Sequence, residues 1–222
     1  MRPSQFEKFD ITCPVCLNEE QGTLWKWVNA RSDPDLKQRL LKKILQIHPC
    51  SNCGHEVLIS TDFVYADPDK KLIIACQPDF QADRPDQARP SWQLSAKESD
   101  WLVRVTLNTN QLIEKIHVFD DRKDDRLIEL LKLSLLRQPD QDIKARRLYY
   151  YSTGDPQDIK LRFVVEAQDG KWYHLDLDQD IYDNTSSMIK RSGIDLTQPL
   201  IVDEAYAKLL LSSLAQKADT LE

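Results

Sequence analysis

Glycine is scarce in this chain: five residues in 222, at Gly22, Gly54, Gly154, Gly170 and Gly193, each isolated. A phosphate-cradling loop needs clustered glycines, so no P-loop and no dinucleotide-binding turn can be built from these. The sequence also holds no G-x-S-x-G, no H-E-x-x-H and no cysteine–histidine pair in a supporting context. Long apolar runs are missing too. Residues 130–136 come nearest, but Lys132 and Ser134 interrupt them, far short of the ~20 residues that span a bilayer. The start, Met1 to Phe6, offers no apolar core for a signal peptide. An excess of positive charge is likewise lacking. The net charge of −6 speaks against a dedicated nucleic-acid binder. What remains is a globular composition, 41% hydrophobic and 30% charged. The expectation is a cytoplasmic protein with reduced thiols, no membrane association and no enzyme motif.

Against these absences stand two C-x-x-C pairs, Cys13/Cys16 in CPVC and Cys50/Cys53 in CSNCG. A pair at this spacing forms a tight turn that points both sulfurs at one ion. Two such turns supply the four thiolates of a closed tetrahedral zinc site. Structural zinc is therefore the expected cofactor, with an iron–sulfur centre or a redox dithiol as the alternatives. A closed site leaves no open coordination position, so the four cysteines are expected to hold the fold and do no catalysis. No catalytic and no other cofactor-binding residue is assigned.

Residues 8–12 and 24–30 suggest two strands around the first pair, the second carrying Trp25 and Trp27 on one face. A helix follows, capped by Asp33, with Pro34 at its first position and Asp35 at the positive dipole end. Its expected buried stripe is Leu36, Leu40, Leu41, Ile44, Leu45 and Ile47, and Pro49 is expected to end it. This helix accounts for the 33 residues between Cys16 and Cys50, since a longer loop adds only about 0.6 kcal/mol per doubling of length. Gly54 follows Cys53, where such a turn often needs a left-handed residue. Residues 56–60 and 71–76 suggest strands around an Ala66-Asp67-Pro68-Asp69 turn, and Cys76 reads as a buried free thiol.

Residues 78–91 hold Pro78, Pro85 and Pro90 and mark a linker or loop. The expected division is a module over 1–78, a Pro-rich linker over 79–91, and a second part over 92–222. In that part residues 102–107 alternate as a strand, and Leu112, Ile113, Ile116 and Phe119 form a helical stripe. Asp124 or Asp125 caps the most apolar helix, 126–137, whose polar positions Arg126, Glu129, Lys132 and Arg137 leave only a narrow wet stripe. Strands follow at 148–151 and 159–166. Asp169-Gly170 turns the chain into a third strand carrying Tyr173, Leu175 and Leu177 inward. A helix around 184–191 ends near Gly193. Asp203 caps a last one with the stripe Tyr206, Leu209, Leu210 and Leu214.

Several stretches together resemble the bacterial CpXC-domain proteins. They are CPVC at Cys13–Cys16, VNARSDPDLKQRLLKKIL at 28–45, CSNCGHE at 50–56, VYADPDKKLII at 64–74 and LIEKIHVFDDRKDDRLIELLKL at 112–133. The resemblance covers the first 140 or so residues well and the rest loosely. It implies a cytoplasmic bacterial protein whose two cysteine pairs bind zinc, and it carries no established activity. Leu17 stands where the family commonly has glycine, which predicts a less regular first turn.

Other constellations have simpler explanations. Lys37, Arg39, Lys42 and Lys43 beside the cysteines, with Trp25 and Trp27, invite a nucleic-acid interface; a solvated helix face explains them too. Asp176, Asp178 and Asp180 alternate, but the EF-hand glycine is replaced by Ile181 and its twelfth-position glutamate by Ser187. They suit the outward face of a strand shared with His174. Asp120, Asp121, Asp124 and Asp125 suit helix ends. His48 and His55 flank the second pair without being assigned as ligands.

The fold class expected is α+β: a zinc-ribbon-like N-terminal module with an inserted helix, then helices and a small antiparallel sheet. The function expected is a zinc-stabilised binding or scaffold module acting through protein contacts or self-association. A nucleic-acid-associated regulator using the basic helix is the alternative, and an enzyme with a site assembled only in three dimensions comes third.

Overall fold

The computed structural model describes residues 2–80, 100–137, 145–155, 157, 159–196 and 199–219. It is a mixed α+β chain with two compact units, Met1–Ile113 and Glu114–Glu222. The division falls inside one helix. Most of the expected linker, residues 81–91, lies outside the described residues.

The first unit is built on a five-stranded sheet in the order β1-β2-β5-β6-β7. Its strands are β1 (Gln5–Thr12), β2 (Glu19–Asn29), β5 (Phe63–Asp67), β6 (Leu72–Cys76) and β7 (Leu102–Thr106). β1/β2 and β5/β6 are antiparallel; β2/β5 and β6/β7 are parallel. β5 and β6 are buried at every position. A strand covered on both faces reads as a continuous apolar run, as FVYAD and LIIAC do. The partner of β6 across the Asp67–Lys71 turn is thus β5, not residues 56–60 as the turn alone suggested. The N-terminal residues close over β2. Ser4 Oγ accepts from the Asn29 amide at 2.9 Å, and the Arg2 guanidinium lies 4.9 Å from the Trp27 ring centre.

The crossover from β2 to β5 carries α1 (Pro34–Leu41) and a small hairpin, β3 (Ile47–Pro49) with β4 (Glu56–Leu58). α1 lies against β2 and buries Leu36 and Leu40, worth roughly 1.5–3 kcal/mol per leucine. Asp33 sits at the N-cap without a capping side-chain bond; its carboxylate accepts from Ser32 Oγ at 2.7 Å instead. The helix is shorter than its stripe predicted. Lys43 takes a left-handed φ of 60°, the Lys43 amide donates to Leu40 O, and the Ile44 amide donates to Arg39 O. This pair of bonds is a Schellman ending, usually built on glycine. It turns Ile44 outward and frees Ile47 for β3.

The β3–β4 hairpin is tied to β2 by side chains. The Gln46 amide donates to Trp25 O at 2.8 Å, and its oxygen accepts from Trp25 N at 3.2 Å. A buried glutamine thereby replaces the next rung of a β-ladder.

In the second unit, β8 (Ala145–Tyr151), β9 (Lys160–Ala167) and β10 (Trp172–Asp178) form the expected antiparallel sheet, with β9 central. Leu161, Phe163 and Val165 alternate inward, onto Val118 of α2 (Thr109–Asp120) and onto Leu131 and Leu135 of α3 (Asp125–Leu136). An adjacent face of α3 presents Leu127 and Leu130 to Ile189 of α4 (Gln179–Ser192) and Leu210 of α5 (Glu204–Asp219). Packed on two sides, α3 needs its near-continuous apolar surface. Asp124 is its N-cap and accepts from the Arg126 amide at 2.9 Å.

Two of α3's supposedly wet positions are interior. Lys132 Nζ lies 2.9 Å from Glu114 Oε1 and 3.0 Å from Glu129 Oε1. Lys115 Nζ lies 3.1 Å from Asp125 and 3.3 Å from Glu129. Glu114 also accepts the Tyr150 amide at 2.8 Å, which satisfies one amide of β8. Three further expectations shift. Ile159 precedes β9 and is exposed, Leu209 on α5 is exposed, and α4 begins at Gln179 directly after β10. Among the described residues no helix is long and apolar enough to cross a membrane.

Candidate metal centre

Each cysteine pair sits in the turn of a hairpin. Cys13 and Cys16 lie between β1 and β2, and Cys50 and Cys53 lie between β3 and β4. The two turns carry the same bonds. The Cys13 amide donates to Asn18 O, and the Leu17 amide donates to Cys13 O, both at 2.9 Å. In the second turn the Cys50 amide donates to His55 O at 2.9 Å, and the Gly54 amide donates to Cys50 O at 2.8 Å. The residue after each second cysteine is left-handed, Leu17 at φ 59° and Gly54 at φ 72°. The first turn is therefore as regular as the second, although a leucine replaces the glycine.

These turns bring four sulfurs together. Cys13 Sγ is 3.6 Å from Cys53 Sγ, Cys16 Sγ is 3.5 Å from Cys50 Sγ, and all four lie within 4.8 Å of one another. All four are free thiols. A tetrahedral ion with bonds of about 2.3 Å to sulfur would place its sulfurs about 3.8 Å apart, inside this range. Cys13 and Cys50 are buried, while Cys16 is half-buried and Cys53 exposed. The group is thus reachable from one side. Among the described residues it is the one cluster of three or more cysteines, histidines or carboxylates compact enough for a metal ion.

Crowding pulls the thiols apart in acidity. A hydrogen bond from the Asn52 side chain, helped by the Asn18 backbone, lowers Cys16 to about 6. At Cys53 the His55 amide favours the thiolate, but hydrogen bonding with the Cys16, Cys13 and Cys50 thiols together with desolvation outweighs it and raises the thiol to about 12. Cys50 is raised as well, against the pull of the Cys53 amide. Four thiolates in this volume need a cation between them, and the cluster is compact enough to hold a metal ion.

The residues around the cluster brace it. Glu20 on β2 accepts the Ser51 amide at 3.0 Å, and its carboxylate lies 3.1 Å from His48 Nε2. The Ser51 side chain first, then the Ser51 amide and the His48 ring, depress Glu20 to about 2. His55 is exposed and contributes its backbone carbonyl. Glu20, Ser51 and Asn52 were not singled out from the sequence. The signal was present: Ser51 occupies the position that Pro14 holds in the first turn, so the second turn has an amide that the first lacks.

Other candidates fall elsewhere. Cys76 is buried on β6, away from the cluster, and desolvation pushes it up to about 11, which suits an inert thiol. Asp176 and Asp178 lie on the exposed face of β10 with His174, as expected; Asp176 pairs with Arg162 at 3.2 Å, and Asp180 is on α4. Asp121 accepts from Tyr150 and Ser152 hydroxyls, Asp124 binds Arg126, and Asp125 binds Lys115. Arg39, Lys42 and Lys43 are exposed, Lys37 is half-buried, and Lys42 and Lys43 lie in the turn that ends α1.

No curated protein and no solved structure matches the chain. The family profile described as CpXC protein matches residues 11–132, a span that holds both cysteine turns, the five-stranded sheet from the end of β1 onward and most of α3. That match takes in more than half of the 222 residues, and the chain belongs to the CpXC protein family.

Proposed function

We propose that Cys13, Cys16, Cys50 and Cys53 bind one zinc ion as a closed structural centre, giving the first unit a zinc-ribbon-like core. The observation that carries this reading is the set of four sulfurs within 4.8 Å on two equivalent hairpin turns. The donor set is all sulfur, which suits zinc and leaves no coordination position for a reacting water. The metal links two hairpins, so its binding energy becomes folding energy.

With the cysteines committed to structure, function lies on the surface the centre holds in place. The protein is a cytoplasmic binding or scaffold module acting through protein contacts. The nucleic-acid reading gains nothing from α1. That helix is two turns long and carries Asp35 among its cations.

The test is affinity capture of tagged full-length protein from its own cytoplasm, with and without nuclease, read by mass spectrometry. A partner retained after nuclease supports the reading. Partners lost with nuclease overturn it in favour of nucleic acid.

A further inference from the structure

Glu20 bridges the two cysteine hairpins, beside a longer contact from Asn18 Nδ2 to Ser51 Oγ at 3.5 Å. It stands on β2 in the hairpin that carries Cys13 and Cys16, opposite Ile11 in the β1–β2 ladder. Its carboxylate reaches across to the other hairpin. Oε1 lies 3.0 Å and Oε2 3.3 Å from the Ser51 amide, inside the Cys50–Cys53 turn. Oε1 also lies 3.1 Å from His48 Nε2 on β3, two residues before Cys50. One carboxylate therefore bonds the second turn at Ser51 and lies against His48 on the other side of Cys50.

The comparison with the first turn gives these contacts meaning. Pro14 occupies the second position there and has no amide hydrogen to satisfy. Ser51 at the same position has one, and the structure spends a carboxylate on it. A solvated surface glutamate would show neither the pair of contacts nor a side chain only 18% exposed.

We propose that Glu20 is a positioning residue for the metal centre, acting through the Ser51 amide to hold Cys50 and Cys53 in register with Cys13 and Cys16. The inference rests on the reading that the four cysteines bind a metal. Groups that orient metal ligands from outside typically change affinity about 10–100-fold when removed. Loss of Glu20 should act on how long the ion stays, because the four donors themselves are untouched.

The test uses zinc-loaded full-length protein and its release of zinc into excess chromogenic chelator. The variants are Glu20→Ala, Glu20→Gln, Ser51→Pro and the double variant Glu20→Ala/Ser51→Pro. Ser51→Pro removes the amide hydrogen while keeping a turn that Pro14 already shows to accept proline. It also removes the hydroxyl that accepts from Asn18 Nδ2 at 3.5 Å, so Ser51→Ala, which loses the hydroxyl alone and should release zinc at the wild-type rate, is its control. The expected result is unchanged zinc per chain, release about tenfold faster for Glu20→Ala and for Ser51→Pro, and no further acceleration in the double variant. Glu20→Gln, which keeps an accepting oxygen, should fall between. Wild-type release rates in both single variants overturn the proposal, as does a double variant whose effects multiply. If Glu20→Ala fails to fold, Ser51→Pro alone decides, since it leaves Glu20 in place. A wild-type protein that holds no zinc overturns the metal reading itself, a result distinct from the others.

Discussion

Leu17 and Gly54 stand at the same step of two equivalent turns. Each follows a second cysteine, each has a positive φ (59° and 72°), and each amide donates to the carbonyl of the first cysteine. Only glycine adopts this conformation without a penalty, which for other residues is roughly 1–2 kcal/mol. The hydrogen bonds and the sulfur cluster hold Leu17 there.

The pair makes opposite predictions. A Cβ at Gly54 would meet no atom within 4 Å, so Gly54→Ala probes backbone strain alone. It should lower unfolding free energy by about 1 kcal/mol. Leu17→Gly should leave stability unchanged or raise it by up to about 1 kcal/mol, the strain relieved being partly offset by the greater freedom of glycine in the unfolded chain. Denaturant titration of metal-loaded protein checks both. Equal stability of wild type and Gly54→Ala would show that the turn does not impose this φ.

Cys50→Ser removes one of the two buried cysteines of the cluster. The expected outcome is a large fall in melting temperature, with new protease cleavage inside the first unit and loss of bound metal, as follows when metal binding is part of folding. An unchanged melting temperature and protease pattern would remove the structural role of the cluster.

Inside the second unit, Lys132 neutralises Glu114 and Glu129 in a site where Glu114 is 2% exposed. Lys132→Met leaves buried Glu114 without its lysine and Glu129 with Lys115 alone, and should cost about 3–5 kcal/mol at neutral pH. Burial raises Glu114 above its usual 4.5, outweighing the pull of Lys132 and Lys115. An acid raised in the folded state binds protons more tightly than in the unfolded state. Its contribution to stability is therefore full below about 4.5 and is lost as pH rises through the higher folded value. The Lys132→Met defect should thus shrink on acidification from pH 7 toward 5, read by denaturant midpoints at each pH. A defect that stays constant across that range would contradict this assignment.

Cys76 lies on β6 at 1% exposure, with its thiol raised to about 11. In the metal-loaded protein Cys76 should therefore resist a thiol reagent until the chain is unfolded. Rapid labelling of Cys76 in the loaded protein without denaturant would mean that β6 opens.

Much of this molecule is legible in the sequence because its signals are local. The cysteine spacings place both turns, the alternation of Leu161, Phe163 and Val165 places β9, and Asp124 and Asp203 sit where helices begin. The misses share a cause: a decision made at a distance. Lys43 ends α1 in a conformation its own type disfavours, so the leucine and isoleucine stripe extended the helix too far. Residues 63–67 are buried on both faces and lack the alternation that marks a strand, so the pairing of β5 with β6 was lost. Glu129 and Lys132 look like a solvent stripe until α2 supplies Glu114 and Lys115. At the cysteine cluster the four thiols are visible and their support is not. Glu20 and Ser51 are 31 residues apart, and nothing in either residue alone announces the bond.

The most direct measurement is metal quantification on full-length protein purified without added chelator, paired with a count of reactive thiols before and after metal removal. The account predicts one zinc per chain, with Cys13, Cys16, Cys50 and Cys53 protected while zinc is bound and all four reactive once it is stripped. Much less than one equivalent in metal-replete protein, or four freely reactive thiols in the loaded state, would contradict it.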